Sequence, residues 1–299
     1  MKRPGFIRTA LFVPGNQPDR VDKAVHTGAD AVIIDLEDAV PLAEKEKTRA
    51  MVRDKLIQHD QRAMFVRVNG LETGFLKGDL EVVAVGALAG IMLPKAESAA
   101  HVREISARLN EVEKAQGIPL GTISVLPLIE SARAVQNIFE IVSVKTDPPR
   151  FFFVAFGAAD YALDMGIELT RQGTELLYAR SRICIACRAA GIDAPLDTPF
   201  MIDIRDLKAL KAEARQARQI GFQGKLCIHP DQVSPCNEVF SPTEEEIKQA
   251  AMAVQAFEDA EARGIGAIQI EGRFIDYAVV ERARRTLEMA ALLHGIRPD

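Results

Sequence analysis

The sequence lacks any apolar run of the roughly 18 residues that a membrane-spanning helix requires. The apolar stretch near its start covers only Ala10 to Val13, which is too short for the core of a signal peptide. The chain also lacks an excess of positive charge: it has 37 Lys and Arg and 42 Asp and Glu, so the net charge is −5. This balance argues against nucleic acid or an anionic membrane surface as the main partner. We therefore expect a cytoplasmic protein with no membrane and no nucleic acid among its partners.

Cysteine is also scarce, with four residues in the 299 of the chain. Cys184 and Cys187 form a C-x-x-C pair, a spacing that occurs in redox-active and metal-binding sites. Both lie in "LLYARSRICIACRAAG", which has helical periodicity, and no second close pair completes a zinc site. We therefore interpret the pair as small apolar residues of a core helix.

No G-x-G-x-x-G follows any candidate strand, and the chain has no P-loop, internal repeat or low-complexity stretch. The missing dinucleotide fingerprint argues against a doubly wound sheet, which is the second fold candidate. The sequence instead alternates short, continuous apolar runs with longer amphipathic segments. Continuous apolar runs are typical of parallel strands that are buried on both faces.

The apolar runs predict seven strands directly, and an eighth must lie in "AGIDAPLDT". The seven runs are "TALFVP", "AVIIDLED", "AMFVRVN", "GIMLPK", "ISVLPLIE", "RFFFVAFG" and "GKLCIHP". The amphipathic segments include 19–27, 44–59, 99–116, 132–144, 176–190 and 206–220. Eight strand–helix units in about 230 residues predict an α/β fold of the TIM (β/α)8 barrel type.

The pattern changes after "HPDQV". Ser241, Pro242 and Thr243 precede three glutamates, which is a strong helix start. "AIQIEGRFID" then predicts a hairpin or loop, and Tyr277 to Leu293 predicts a last helix. The predicted organisation is therefore a catalytic barrel over residues 1–240 and a C-terminal helical extension over residues 241–299.

Acidic and basic residues follow most of the predicted strands, at the barrel face where the active site of a TIM barrel lies. Such residues can merely solvate strand ends, but their number on one face favours a functional cluster. With the neutral Asn69, the polar residues at these strand ends are Asp35, Glu37 and Asp38 on strand two, Arg67 and Asn69 on strand three, Lys95 on strand four, Glu130 on strand five, Asp160 after strand six, and His229 and Asp231 at the end of strand eight.

Glu130 and Asp160 follow neighbouring strands and can share one Mg²⁺, with water and substrate oxygens as its other ligands. The alternative for Glu130 is an ion pair with Arg133 one turn on. Arg67 offers a planar guanidinium that is suited to bind a substrate carboxylate. The alternative is an ion pair with a carboxylate of strand two, and Arg67 can make both interactions. Together these residues indicate chemistry on an α-keto or α-hydroxy acid.

At these residues the chain resembles the HpcH/HpaI aldolase and citrate lyase β-subunit family. The resemblance runs in family order from residue 9 to about 290. The matching pieces are "LFVPGN", "DLEDAV", "VRVN", "MLPKAES", "PLIESA", "FGAADYALDMG", "GFQGKLCIHPDQV" and "GRFID". "DIRD" at Asp203–Asp206 and "GRFID" resemble the branch of acyl-CoA lyases that act on citryl-CoA, citramalyl-CoA and malyl-CoA.

The resemblance implies a Mg²⁺-dependent lyase that cleaves a short hydroxyacyl-CoA to acetyl-CoA and a keto acid. It implies that Glu130 and Asp160 are the Mg²⁺ ligands and that Arg67 binds the keto-acid end of the substrate. Glu37 and Asp38 match acids that order metal-bound waters and the arginine.

The resemblance also assigns residues to the rest of the ligand. Arg20 and Lys23 match basic positions near the CoA phosphates, and we include Lys95 among the substrate-binding residues. Asp276 matches an aspartate that, in relatives, acts as acid or base in a neighbouring subunit's active site, so that a homo-oligomer, a trimer or hexamer, is implied. One departure is Ala159, which stands where the family often has an acid before the metal-binding aspartate.

Three other functions remain open at this stage. One is an aldolase that acts on free hydroxy-keto acids without CoA. Another is a malyl-CoA thioesterase. The third is a non-catalytic subunit of a citrate lyase-type complex.

Overall fold

Eight parallel strands close into a barrel in the computed structural model, which describes residues 6–150, 153–270 and 272–293. Each strand pairs with the next, and β8 pairs with β1. The strands are β1 Thr9–Pro14, β2 Ala31–Asp35, β3 Met64–Arg67, β4 Gly90–Leu93, β5 Ser124–Ile129, β6 Ala155–Phe156, β7 Leu196–Asp197 and β8 Gly224–Cys227. The predicted TIM barrel is confirmed; Phe151 and Phe152 of the sixth predicted run lie outside the described residues.

Helices follow the strands around the barrel. They are α1 Pro18–Ala24, α2 Lys45–Gln58, α3 Leu76–Val83, α4 Ala99–Ala115, α5 Ala132–Gln136, α6 Ile138–Val142, α7 Ala158–Met165, α8 Leu177–Ala190, α9 Leu207–Ile220 and α10 Val233–Phe240. The segment 132–144, expected as one helix, is two short helices divided at Asn137. Each of α3, α7 and α10 has eight residues, which is too few to show a clear helical period. The eight predicted strand–helix units implied a helix after each strand, but these three were not among the amphipathic segments named from the sequence.

The barrel strands separate two apolar cores. Ile33 and Phe65 belong to the cluster inside the barrel, whereas Ile34 and Val66 belong to the layer between strands and helices. Successive side chains of a strand point to opposite faces, so a strand that is covered on both faces needs a continuous apolar run. This requirement explains why the sequence predicts most of the strands.

A buried group of four charged side chains lies between β7, β8 and the helices α8 and α9. Lys225 donates to Asp197 and to Glu213, at 2.6 Å in each case. Arg180 donates two hydrogen bonds to the Asp197 carboxylate, at 2.8 and 3.0 Å. The two positive charges balance the two negative ones, as burial of ionised groups requires. We interpret this group as part of the framework.

All four cysteines are free. Cys187 is buried on α8, and burial raises the pKa of its thiol to about 12. Burial also raises the pKa of Cys184. Neither thiol is therefore activated as a nucleophile or metal ligand, which fits a packing role for the C-x-x-C pair.

The chain divides into two compact units, with the boundary between Phe240 and Ser241. The second unit contains α11 Glu244–Glu261, the antiparallel pair β9 Ala267–Ile270 and β10 Arg273–Asp276, and α12 Tyr277–Leu293. Thr243 caps α11 through a capping box with Glu246. None of the described helices combines the length and the apolarity needed to cross a membrane.

Candidate active site

The strand ends of the barrel bring Arg67 and Asp35 together. The β2–β3 register places these two residues side by side. Arg67 Nε and Nη2 donate to the two oxygens of Asp35 at 2.8 and 2.6 Å, so the pair is bidentate. Asp35 also accepts the backbone N–H groups of Glu37 and Ala39. The alternative that Arg67 pairs with a strand-two carboxylate is therefore confirmed.

The remaining edge of the Arg67 guanidinium faces two further acids. Nη1 lies 3.0 Å from Glu37 Oε2 and 3.3 Å from Asp38 Oδ2. The guanidinium carbon lies 5.1 Å from the centre of the Phe12 ring, a cation–π contact. Burial alone would lower the pKa of Arg67, but the bond to Asp35 and the nearby carboxylates hold it above its usual value. Arg67 is thus a fixed, permanently charged fork.

Glu37 is a largely buried carboxylate, with only 11% of its side chain exposed. Burial raises its pKa, although the charge of Arg67 opposes the shift. Oε1 lies 3.6 Å from Lys95 Nζ. Oε2 lies 3.0 Å from Arg67 Nη1 but accepts no hydrogen bond of good geometry from the residues that the structure describes. It can therefore still accept a hydrogen bond from a ligand or a bound water.

Glu130 follows β5 and is 3% exposed. Its Oε1 accepts the backbone N–H of Lys95 at 2.7 Å. Burial raises the pKa of Glu130 to about 8, and the charges of Asp160 and Glu37 contribute to the shift. The alternative partner, Arg133, lies 3.8 Å from Glu97 instead. The Glu130 carboxylate is therefore a group that a bound cation would stabilise.

Asp160 stands in the first turn of α7, which begins directly after β6. It is half-buried, and its charge acts on both Glu130 and Lys95. A carboxylate in this position is favoured by the positive end of the helix dipole. The structure thus brings Asp160 and Glu130 into one electrostatic neighbourhood.

The donor atoms fit a hard divalent cation. Within residues 6–150, 153–270 and 272–293, no three His, Cys, Asp or Glu side chains converge as a set of metal ligands. A pair of carboxylates leaves most positions to water and substrate oxygens, which is the coordination that Mg²⁺ prefers. The neighbouring donors are oxygens, which do not favour zinc.

Lys95 has a left-handed backbone, with φ of 51°. This conformation turns its N–H toward Glu130, while its side chain remains 61% exposed. Burial lowers the pKa of Lys95, but the charges of Glu37, Asp160 and Glu130 raise it by more. Lys95 therefore contributes a backbone donor to Glu130 and a charged group that is available to a ligand.

Because the backbone at Lys95 is left-handed, we expect glycine to be more stabilising than alanine at this position, the reverse of the order inside a helix. Left-handed geometry costs a residue with a Cβ roughly 1–2 kcal/mol, so Lys95→Gly should be more stable than Lys95→Ala by about 1 kcal/mol. At exposed Ala107, inside α4, the order should be the usual one, with Ala107→Gly destabilising by about 1 kcal/mol. Urea unfolding of the three variants measures both differences. A Lys95→Ala variant as stable as Lys95→Gly would mean that the backbone is unstrained.

Two residues that support the site, Lys45 and Asp79, were not singled out from the sequence, whereas their shared partner Asn69 was. Lys45 is buried and donates to the carbonyl oxygens of Leu36 and Glu37 and to Asn69 Oδ1. Asn69 Nδ2 in turn donates to Asp79. These bonds hold the loop that carries Glu37. A lysine at the start of α2, where the helix dipole disfavours positive charge, was the one signal available.

For the remaining predicted residues, the described part of the chain shows no contact with this cluster of charged side chains. Arg20 and Lys23 are exposed on α1, the helix that follows β1. His229 follows β8, and its Nδ1 accepts the N–H of Asp231. Asp276 lies in the second unit, where its Oδ1 accepts the N–H of Val279 at 3.0 Å and caps α12.

A closed barrel with an arginine fork and a carboxylate pair beyond its strand ends defines a class of protein: a TIM-barrel enzyme that handles oxyanions beside a hard cation. The family model "HpcH/HpaI aldolase/citrate lyase" matches residues 8–230. The chain belongs to this family, as its motifs predicted.

Three relatives illustrate the family. The chain is 40% identical over 289 residues to "Citrate lyase subunit beta" of Leuconostoc mesenteroides subsp. cremoris, covering 96% of this chain and 94% of that protein. It is 33% identical over 308 residues to "L-malyl-CoA/beta-methylmalyl-CoA lyase" of Cereibacter sphaeroides, covering 96% and 95%. The crystal structure of CitE from Mycobacterium tuberculosis in complex with magnesium, acetoacetate and coenzyme A superposes with a TM-score of 0.79 at 31% identity, covering 96% and 99%.

Proposed function

We propose that the chain is a Mg²⁺-dependent carbon–carbon lyase that cleaves or forms a short hydroxyacyl-CoA thioester. The lyase class follows from the family and from the names of its relatives. The observation that carries the proposal is the arginine fork beside a pair of carboxylates on one barrel face. Citryl-CoA, citramalyl-CoA and malyl-CoA are the candidate substrates.

The metal ligands in this proposal are Glu130 and Asp160. Buried Glu130 is destabilised as an anion, so it gains most from a positive neighbour. A bound Mg²⁺ supplies Lewis-acid stabilisation of negative charge on the oxygens of the keto acid. The magnesium in the Mycobacterium tuberculosis CitE structure supports Mg²⁺ as the metal.

The keto-acid end of the substrate binds at Arg67. Asp35 fixes the plane of the guanidinium, and Glu37 and Asp38 align its Nη1 edge. A fork that is fixed before the substrate arrives loses little entropy on binding. The exposed ammonium of Lys95 contributes a further donor at the mouth of the site.

The CoA part of the substrate binds near Arg20 and Lys23, whose charges suit its phosphates. In the cleavage direction, a base takes the hydroxyl proton, the carbon–carbon bond breaks, and the electron pair moves to the acetyl-CoA enolate. An acid then protonates the enolate carbon. We assign proton transfer to Asp276 of a neighbouring subunit in a homotrimer or hexamer.

A substrate panel tests the proposal against the other functions. Citryl-CoA, citramalyl-CoA and malyl-CoA are each incubated with Mg²⁺ or with EDTA, and keto acid, acetyl-CoA and free CoA are measured. The lyase produces keto acid and acetyl-CoA only with Mg²⁺. Free CoA with malate identifies a thioesterase, activity on CoA-free hydroxy-keto acids identifies an aldolase, and Mg²⁺ binding without turnover identifies a non-catalytic subunit.

Arg67→Lys should weaken binding of the keto acid and leave CoA binding nearly unchanged. Lysine keeps the charge but cannot bond to Asp35 through two nitrogens and also present a third, Nη1, to the substrate. The loss of a charge-assisted bond costs ~1.5–3 kcal/mol. The keto-acid Kd should therefore rise at least about tenfold. Calorimetry with each ligand separates the two effects. Arg182→Lys, on the outside of the barrel, is the control and should change neither Kd. Equal losses for both ligands would contradict this role.

A further inference from the structure

The first turn of α7 has no capping side chain of its own. Gly157 occupies its N-cap position. The N–H of Ala158 instead donates to Thr198 Oγ1 at 2.9 Å, and Thr198 is 2% exposed. The first N–H groups of a helix need acceptors from outside the helix. A hydroxyl that directly follows β7 therefore supplies one of the acceptors that the start of α7 needs.

The sheet itself constrains this part of the barrel weakly. Among the described residues, β6 and β7 have two residues each, and their register pairs Ala155 with Leu196. The β2–β3 ladder, by contrast, continues as far as Asp35 and Arg67. The hydrogen bond from Ala158 to Thr198 therefore adds a connection between the end of β7 and the start of α7 beyond the short strands.

The other side of this turn packs directly on Glu130. A Cβ at Gly157 would lie 2.9 Å from both Glu130 Cβ and Glu130 Oε2, closer than real Cβ atoms come. The backbone at Gly157 and Ala158 thus packs against Glu130 and donates a hydrogen bond to Thr198. Asp160 follows Ala158 by two residues in the same turn, so its place relative to Glu130 depends on both contacts.

We propose that Thr198 is a positioning residue for the metal site. Its hydroxyl fixes the first turn of α7 and thereby the spacing between the Asp160 and Glu130 carboxylates. It acts through the Ala158 amide and not by contact with a ligand. This inference rests on the proposed function, because it takes Glu130 and Asp160 as the two ligands of Mg²⁺.

The test compares Thr198→Val with Thr198→Ser. Valine has nearly the shape of threonine but no acceptor, whereas serine keeps the hydroxyl. Removing a group that orients a metal ligand typically weakens metal binding about 10–100-fold. Calorimetric titration of chelator-treated protein with Mg²⁺ should show such a loss for Thr198→Val and nearly wild-type affinity for Thr198→Ser. Binding of CoA should be unchanged in both variants.

Two controls separate positioning from general destabilisation. Thr9→Val removes a buried hydroxyl bond, to Asn237 at 2.8 Å, at the opposite end of the barrel strands, and should leave Mg²⁺ affinity unchanged. Asp160→Asn should reduce Mg²⁺ affinity at least as much as Thr198→Val. Thermal unfolding checks each variant, and Thr198→Ala replaces Thr198→Val if the valine variant does not fold.

The outcomes are distinguishable. Unchanged Mg²⁺ affinity in Thr198→Val, with a loss in Asp160→Asn, overturns the role of Thr198 alone. An equal loss in Thr198→Val and Thr9→Val, or in Thr198→Val and Thr198→Ser, shows a merely structural effect and also overturns it. Unchanged affinity in Asp160→Asn overturns the metal assignment itself, and this inference with it.

Discussion

Replacing Glu130 by Gln and Asp160 by Asn in one chain is expected to abolish turnover while the barrel remains folded. Charge stabilisation by a metal ion contributes several kcal/mol to the transition state, so a loss of ~4 kcal/mol lowers the rate about a thousandfold. Mg²⁺ affinity should fall with it. Rate assays and calorimetry on the same preparation measure both losses.

The fold should survive because burial already favours the uncharged form of Glu130. A glutamine there is neutral, and its amide oxygen accepts the Lys95 N–H as the carboxylate does. Asp164→Asn is the matched control, since exposed Asp164 lies one turn further along α7 and accepts the Ala132 N–H. It should retain wild-type turnover. Near-normal turnover in the double variant would remove both residues from the metal site.

Asp276→Asn should lose about 10²–10⁴-fold in turnover, the usual contribution of a general acid or base. Mg²⁺ and CoA binding should be retained, because the change lies in the second unit. Asparagine caps a helix as well as aspartate does, so the bond to the Val279 N–H remains available. If Asp276 only caps α12, this substitution should be nearly silent.

Subunit mixing shows whether Asp276 serves a neighbouring chain. Asp276→Asn and Glu130→Gln proteins, each inactive, are mixed and allowed to exchange subunits. If sites are shared around a symmetric ring, about one site in four combines an intact Glu130 with a neighbour's intact Asp276. Up to about a quarter of wild-type activity should then return. If each chain is self-sufficient, every site carries one lesion, and the mixture stays inactive.

Local sequence pattern predicted those parts of the fold that depend on continuous burial. The runs that form β1 to β5 and β8 are mostly apolar, because helices cover one face of each strand and the barrel interior covers the other; Lys225 in β8 is an exception that buried acids balance. The two-residue strand β7 was placed only by counting units, since Leu196 and Asp197 carry no period. The helix that carries Asp160 was implied by the count of strand–helix units but was not located, because α7 makes only about two turns.

The sequence predicted which residues form the candidate site but not the hydrogen bonds and ion pairs between them. Position after a strand was enough to bring Arg67, Glu37 and Glu130 to one face. The choice of Asp35 as the bidentate partner of Arg67 depends on the β2–β3 register, which exists only once the sheet has formed. The bonds from Lys45 to Asn69 and from Ala158 to Thr198 join residues 24 and 40 positions apart, so no local pattern encodes them. The role assigned to Asp276 involves a second chain and stays a prediction.

The close approach of Gly157 to Glu130 bears on how a saturation mutagenesis scan of this enzyme should be interpreted. Any side chain at position 157, even a methyl group, would displace Glu130, so every substitution there should score as a loss of activity. Position 157 would then rank with the catalytic positions although glycine has no functional group to contribute. Neighbouring Ala159, whose side chain is exposed, should tolerate variation instead. For directed evolution of substrate preference, position 159 is therefore the one to randomise and position 157 the one to leave unchanged.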